Sequence, residues 1–339
     1  MSDSTSLACG SLRATPPLAV LLRAAFARLP FTAPFLLAPM EGVTEPCFRD
    51  LVLARNAPDA LGGAFTEFVR VSVSPIPRHV IRRQLGPSRF TQPVGVQLMG
   101  ADLGHLARTA QNAVEAGAPL VDLNFGCPSK GALAGCAGSS LLRDPLALEK
   151  VVRAVVDSVS VPVTAKIRAG YDDASQVEDL ARAAENGGAA LLTVHCRTRA
   201  EGYCDEVDWT RIARAVRAVS IPVCGNGGIA RHEDLARMCS ATGARFAMVG
   251  RGALADPWIF SGRRVEGSLA ARFLLDYADA MHERGGLEPR GVAARIKQLL
   301  RHWTAGGLVP DPAARAELLR ERDGGALLAR LQGAAQSRS

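Results

Sequence analysis

Between residues 35 and about 260, eight short apolar runs alternate with stretches of helical periodicity. The runs are "FLLAPM", "GGAFTEFV", "PVGVQLMG", "LVDLNFG", "VPVTAKIRAG", "LLTVHCRT", "IPVCGNGGI" and "FAMVGRGAL". Strands covered on both faces read as nearly continuous apolar segments, the pattern of a parallel sheet with helices outside it. In "PLALEKVVRAVVDSV", Leu148, Val151, Val152, Val155, Val156 and Val159 share one helical face, and "DLGHLARTAQNAVEAG" repeats this with Leu103, Leu106, Ala107, Ala110 and Val114. Asp102 and Asp144 stand at N-cap positions, Gly117 and Gly188 where helices stop. The connection after the second run, with two prolines in "SPIPRHVIRRQLG", carries a weaker helical pattern. Eight βα units in about 230 residues predict an α/β fold, a (β/α)8 TIM barrel. An open doubly wound sheet would place GxGxxG after its first strand, and the first run has none.

In such a barrel the chemistry collects at the C-terminal ends of the strands. The first run ends in Pro39-Met40-Glu41-Gly42; the second carries Thr66-Glu67 and leads to Arg70; the third holds Gln97. The fourth holds Asn124 and then Cys127, the fifth Lys166 and Arg168, the sixth His195 and Arg197. The last two end in Asn226-Gly227-Gly228 and Gly250-Arg251-Gly252. Taken singly, each has an ordinary explanation: His195 as a satisfied core histidine, Lys166 paired with a carboxylate, the Asn-Gly-Gly as a tight turn. In register at eight strand ends, they point to one polar mouth, because an apolar core does not accept such groups without partners.

The glycines of "GNGGI" and "GRGAL" let backbone N–H groups approach phosphate oxygens, with Arg251 adding charge. A phosphate-bearing cofactor is expected. Gln97 and Lys166 suit a flat heterocycle at the barrel centre, and a lysine beside the N1–O2 edge of a flavin stabilises the anionic reduced ring. FMN fits this pattern. Pyridoxal phosphate is the rival; it would need Lys166 as a Schiff base and an Asp or Arg at the pyridine nitrogen, which the sequence does not place.

The chain has 339 residues, 48% hydrophobic and 22% charged, the composition of a globular enzyme. "PPLAVLLRAAFARLP" is interrupted by Arg23 and Arg28, too short for a membrane span and a poor signal peptide. Residues 1–31 are expected to form a poorly ordered extension, 32–262 the catalytic barrel, and 263–339 a helical bundle; a cytoplasmic monomer is expected, with no membrane or protein partner implied. Eight cysteines form no CxxC pair, so no metal site is expected, and Cys47, Cys224 and Cys239 read as small core residues. The net charge is +7, and the segment from Arg263 onward carries 13 Arg or Lys against 9 Asp or Glu. In "VAARIKQLLRHW" an apolar stripe of Val292, Ile296, Leu299, Leu300 and Trp303 leaves Arg295, Lys297, Arg301 and His302 on other faces. That suits a phosphate reader, or a bundle helix with solvated charges.

Together "LLAPMEGVT", "VGVQLMG", "VDLNFGCPSK", "GSSLLRDP", "VPVTAKIRAG", "VHCRTRAEGY", "IPVCGNGGI" and "MVGRGALADPWIF" resemble the tRNA-dihydrouridine synthases. "TEFVRV" and "ARIKQLL" are most similar to the subgroup acting on uridine 16 of the D-loop. The resemblance covers residues 35 to 330. It implies an FMN enzyme that reduces the uridine C5–C6 bond in tRNA with NADPH as electron source. By it, Cys127 is the general acid and Asn124 faces the target base. Gln97, Lys166, His195, Asn226, Gly227, Gly228, Gly250 and Arg251 hold FMN, with Pro39, Met40 and Glu41 under the ring; Arg70, Arg168, Arg295 and Lys297 contact tRNA. Two positions depart from the family pattern: Gly228 stands where an acidic residue is usual, and Cys136 where glycine is common.

The chemistry suits these residue types. Hydride adds at C6 and a proton at C5, and a thiol, with a reference pKa of about 8.5, is a protonated acid at neutral pH. Asn124 can hold the uracil edge, and the Gly-Cys-Pro turn aims the sulfur. A base inside folded tRNA must be flipped out, at a cost of a few kcal/mol. Two other readings remain at this level: a small-molecule FMN dehydrogenase of the dihydroorotate or enoate type, and an RNA-binding scaffold without catalysis.

Overall fold

The computed structural model describes residues 29–86, 90–127, 137–202, 204 and 206–336. Most of the expected N-terminal extension, and Lys130 and Cys136, lie outside the described residues. Leu29 and Phe31, at the end of that extension, are buried, so the folded body begins earlier than residue 32.

The strands are β1 (Phe35–Leu37), β2 (Gly63–Phe65), β3 (Val69–Arg70), β4 (Val94–Met99), β5 (Val121–Phe125), β6 (Val163–Arg168), β7 (Leu191–His195), β8 (Val223–Asn226) and β9 (Phe246–Val249). All pairings are parallel, and β1–β9, β1–β2 and β2–β4 contacts close the sheet into the expected eight-stranded barrel. The second apolar run is split in two. Gln97 N donates to Thr66 Oγ1 at 3.1 Å, and Glu67 turns away to take Val43 N at 2.9 Å. The side chains take over where the ladder would run, and β3 resumes as a short strand beside β4.

Around the barrel run α1 (Pro46–Arg55), α2 (Arg78–Leu85), α3 (Leu103–Glu115), α4 (Pro145–Val156), α5 (Val177–Asn186), α6 (Thr210–Ala218), α7 (Glu233–Thr242) and α8 (Arg251–Ala255). The predicted caps form: Asp102 accepts from His105 N, and Asp144 from Leu146 N and Ala147 N. Gly117 and Gly188 follow α3 and α5 at φ +102° and +95°, the left-handed stop. Phe31 closes the N-terminal end of the barrel, its ring 6.0 Å from Phe65 and 5.9 Å from Phe246.

After the barrel come α9 (Gly267–Glu283), α10 (Pro289–Leu300), α11 (Pro312–Arg320) and α12 (Gly324–Gln336). The stripe read on α10 is buried, Trp303 included. An aromatic seam joins these helices to the barrel. Phe273 of α9 stands between Phe48 of α1 at 6.2 Å, Trp258 at 5.6 Å and Trp303 at 5.7 Å, and Tyr277 packs on Phe48 at 5.9 Å. Barrel and helices thus contribute to one apolar cluster. No described helix is long and apolar enough to cross a membrane.

Phe273→Ala should cost about 3–5 kcal/mol, the usual toll for emptying a buried aromatic site. Because the seam is shared, far-UV circular dichroism and tryptophan fluorescence should report a single urea transition, shifted to lower concentration. Separate transitions for the two regions would contradict a common core.

Candidate active site

A cavity of about 1000 Å³ opens at the C-terminal ends of the strands. The first strand end supplies Pro39, Met40 and Glu41, β5 supplies Asn124 and Cys127, and β6 supplies Lys166 and Arg168. His195 and Arg197 line it after β7, Asn226, Gly227 and Gly228 after β8, and Gly250 and Arg251 after β9. Thirteen of the expected site residues therefore meet in one place.

The remaining ones stand elsewhere. Gln97 lies beneath the lining, fully buried, its Nε2 donating to Asp122 Oδ2 at 2.6 Å and its Oε1 accepting from Asn124 Nδ2 at 2.8 Å. Arg70 is exposed at the rim, 5.7 Å from the Phe68 ring centroid. Arg295 is drawn inward: its guanidinium donates to the Gly42 carbonyl and to Gln298 Oε1, and stands 3.6 Å from Glu45. Lys297 donates to the Glu321 carbonyl. Arg168 lines the cavity but is 3% exposed, and it ties Gly126 O at 2.9 Å to Thr198 O and Gly202 O at 3.0 Å each, lacing the loop after β5 to the loop after β7.

Asn124 is more committed than its sequence position suggests. Its Oδ1 accepts from Gly126 N at 2.9 Å and Cys127 N at 3.0 Å, so one N–H of Nδ2 is left for a ligand. Cys127 is 8% exposed, and its carbonyl accepts from Ser139 N at 3.1 Å. His195 Nδ1 faces Arg197 N at 3.2 Å. A backbone N–H can only donate, so Nδ1 accepts and the ring proton sits on Nε2, beside the Gly227 turn. Burial, and then the charges of Lys166, Arg168 and Arg197, hold the imidazole well below its usual pKa and keep it neutral. Burial and the neighbouring Arg168 likewise bring Lys166 down to about 8, with Asp122 opposing, so its ammonium persists at neutral pH.

The residues fit a flat, phosphate-bearing cofactor. Lysine and arginine dominate the charged lining, and Arg197, 3% exposed, has a buried Nε without a protein partner. Gly227 and Gly228 adopt φ +104° and +76°, and a Cβ on Gly227 would lie 2.7 Å from Cys196 Sγ. The volume is at the top of the roughly 300–1,000 Å³ range of ligand pockets, with room for a second ring beside a cofactor.

The dihydrouridine synthase (Dus) family matches residues 36–282. The chain belongs to this family. A tRNA-dihydrouridine(16) synthase of Pseudomonas syringae pv. tomato is 40% identical over 65% of this chain and 71% of that protein. One of Cupriavidus necator is 37% identical over 78% and 80%, and a tRNA-dihydrouridine synthase B of Pseudomonas aeruginosa is 40% identical over 68% and 69%. As a dihydrouridine synthase, the chain is a flavin-dependent oxidoreductase.

Several lining residues were not among the expected set. Arg197 was visible as a polar strand end. Gln298 of α10, and His302 and Thr304 just after it, reach the cavity from the C-terminal helical segment; of these only His302 had been noted, as a residue off the apolar stripe. Asp122, 1% exposed, lies beneath the lining with Gln97 and was likewise not among the expected residues.

An anionic cofactor held by Lys166 should bind less tightly as pH rises through about 8, because the ammonium is lost there. Lys166→Met should bind weakly, with that pH dependence removed. Titrating apoprotein with FMN by fluorescence quenching at a series of pH values checks both; an unchanged wild-type affinity across pH 8 would remove Lys166 from the binding set.

Proposed function

We propose that the chain reduces the C5–C6 bond of uridine 16 in the D-loop of tRNA, with FMN as cofactor and NADPH as electron donor. The observation that carries this reading is the placement of Cys127 and Asn124 in the wall of the same cavity as Lys166, His195, Arg197 and the two glycine turns. In the closed strand order, β5 is four strands from β9, so the thiol loop faces the Gly250-Arg251 end across the barrel. The names of the relatives, two of them uridine-16 synthases, support the substrate.

When bound, FMN supplies the hydride that adds to C6 of the uracil. Arg197, Arg251 and the N–H groups of the Gly227-Gly228 turn suit its phosphate. Lys166 would supply positive charge to a flavin bound in the cavity, and neutral His195 offers an Nε2–H donor. Cys127 gives the proton to C5, and the free N–H of Asn124 can meet a uracil carbonyl. Flipping the base costs a few kcal/mol, which contacts to the tRNA backbone must offset. Among the four cations expected on tRNA, Arg70 is exposed, whereas Arg168, Arg295 and Lys297 act through the carbonyls and loops they hold. Membership of the family leaves the small-molecule dehydrogenase without an observation in its favour.

Unmodified tRNA incubated with the holoenzyme and NADPH should gain one dihydrouridine, mapped to position 16 by nuclease digestion and mass spectrometry; NADH in parallel tests the donor. Cys127→Ala should slow the reaction about 10²–10⁴-fold, the typical contribution of a positioned acid, while retaining tRNA binding. Full activity in that variant would overturn the acid assignment, and product at another position would overturn the choice of uridine.

A further inference from the structure

Asp122 has no place in the chemistry described above, yet it is a carboxylate 1% exposed inside the barrel. It stands in register with Gln97 of β4 on one side and Thr164 of β6 on the other. Gln97 Nε2 donates to its Oδ2 at 2.6 Å and Thr164 Oγ1 to its Oδ1 at 2.5 Å. Lys166 is the cation whose charge acts on it.

The direction of the chain of hydrogen bonds above it follows from elementary donor and acceptor rules. Gly126 N and Cys127 N can only donate, so the Asn124 atom that meets them is oxygen. Asn124 therefore turns its nitrogen toward Gln97, and Gln97 its oxygen toward Asn124. The Gln97 nitrogen is left facing down, and it requires an acceptor. We propose that Asp122 is a positioning residue: its carboxylate fixes the polarity of the Gln97–Asn124 amide pair and thereby holds the Gly126–Cys127 turn in the pocket wall. A carboxylate satisfies both neighbours at once because it accepts on both oxygens. A neutral side chain that donated to Gln97 would reverse both amides and aim the Asn124 nitrogen at two backbone N–H groups, leaving them without an acceptor in the barrel wall, where a lost partner is costly.

The role attributed to Cys127 rests on the proposed function, whereas the polarity itself does not. Asn at position 122 can keep the polarity, with its oxygen toward Gln97 and its nitrogen toward Thr164 Oγ1. Thr164→Val leaves the carboxylate free to accept from Gln97. In the Asp122→Asn/Thr164→Val double variant, the position-122 nitrogen has an apolar neighbour on one side, and turning it toward Gln97 reverses the pair. Asp122→Leu removes the acceptor outright.

The four variants are compared as full chains by kcat and KM for tRNA, and by the rate at which iodoacetamide alkylates Cys127, followed by peptide mass mapping without turnover. Each single conservative variant should stay within about threefold of wild type, and the double variant should lose far more than the product of the two, approaching the roughly 10²-fold that a misplaced catalytic group costs. The loss should fall on kcat with KM little changed, and the alkylation rate of Cys127 should rise in parallel. Asp122→Leu should behave like the double variant; if it does not fold, the double variant decides. Independent effects in the double variant, or an unaltered alkylation rate at wild-type melting temperature, would overturn the proposal. Absence of tRNA reduction in the wild-type chain would instead count against the proposed function, and the alkylation series would still test the polarity.

Discussion

A closed barrel leaves no water inside to satisfy a polar side chain, so each one placed there must find its partner within the wall. The upper half of this barrel is built on that constraint. Asp122, Gln97 and Thr164 satisfy one another between β4, β5 and β6, and the acceptor capacity of the carboxylate is relayed upward through the two amides to the N–H groups of the Cys127 turn. Burial raises the Asp122 carboxyl to about 6, against the opposing pull of its two hydrogen bonds and Lys166. Its partners do not fully repay the loss of water, which is why the group is poised rather than inert. Its folded pKa lies above the ordinary value, so the stability it contributes is complete at acid pH and falls as pH rises through about 6. At neutral pH the carboxylate costs folding free energy in return for two well-placed acceptors.

The lip of the cavity is held from outside the barrel as well. Gly42 O takes donors from Arg295 and Gln298 of α10, while Val43 N donates to Glu67 after β2. Glu45 caps α1 and accepts from Tyr277 of α9 at 2.9 Å. The segment carrying Pro39, Met40 and Glu41 is therefore fixed on one side by the second strand end and on the other by the C-terminal helices. These helices also bring Gln298 and His302 to the cavity. Their contribution to the site is construction of its rim, in addition to whatever surface they present to RNA.

The eight strands were legible because double burial makes each one apolar throughout, and the helices because their stripes and caps are local. The break in the second strand was not, since it depends on Thr66 meeting a backbone N–H of another strand. The strand-end rule located Lys166, His195 and both glycine turns, because geometry places every strand end at the same mouth. It did not separate lining from support. Gln97 satisfies the rule but sits below the lining, and Arg295 has a basic side chain whose partner is 253 residues away in sequence. Such pairings leave no periodic trace. Asp122 did leave one: it is two residues before Asn124, so the two share the inward face of β5, and an acid on that face calls for a partner.

The Gly227-Gly228 turn is shaped by what packs around it. Gly228 adopts φ +76°, and a Cβ there would lie 2.6 Å from Val207 Cγ1 and 3.3 Å from Trp209 Nε1. The space is filled from the segment entering α6. Trp209 Nε1 donates to Gly227 O at 2.9 Å, and the guanidinium of Arg237, from α7, lies 5.1 Å from the Trp209 ring centroid. The turn is thus held through its own carbonyl by the residue that opens a neighbouring helix. Its N–H groups remain uncommitted by that arrangement. Free N–H groups favour an anion at the turn, in keeping with the cations of Lys166, Arg197 and Arg251 around the same cavity.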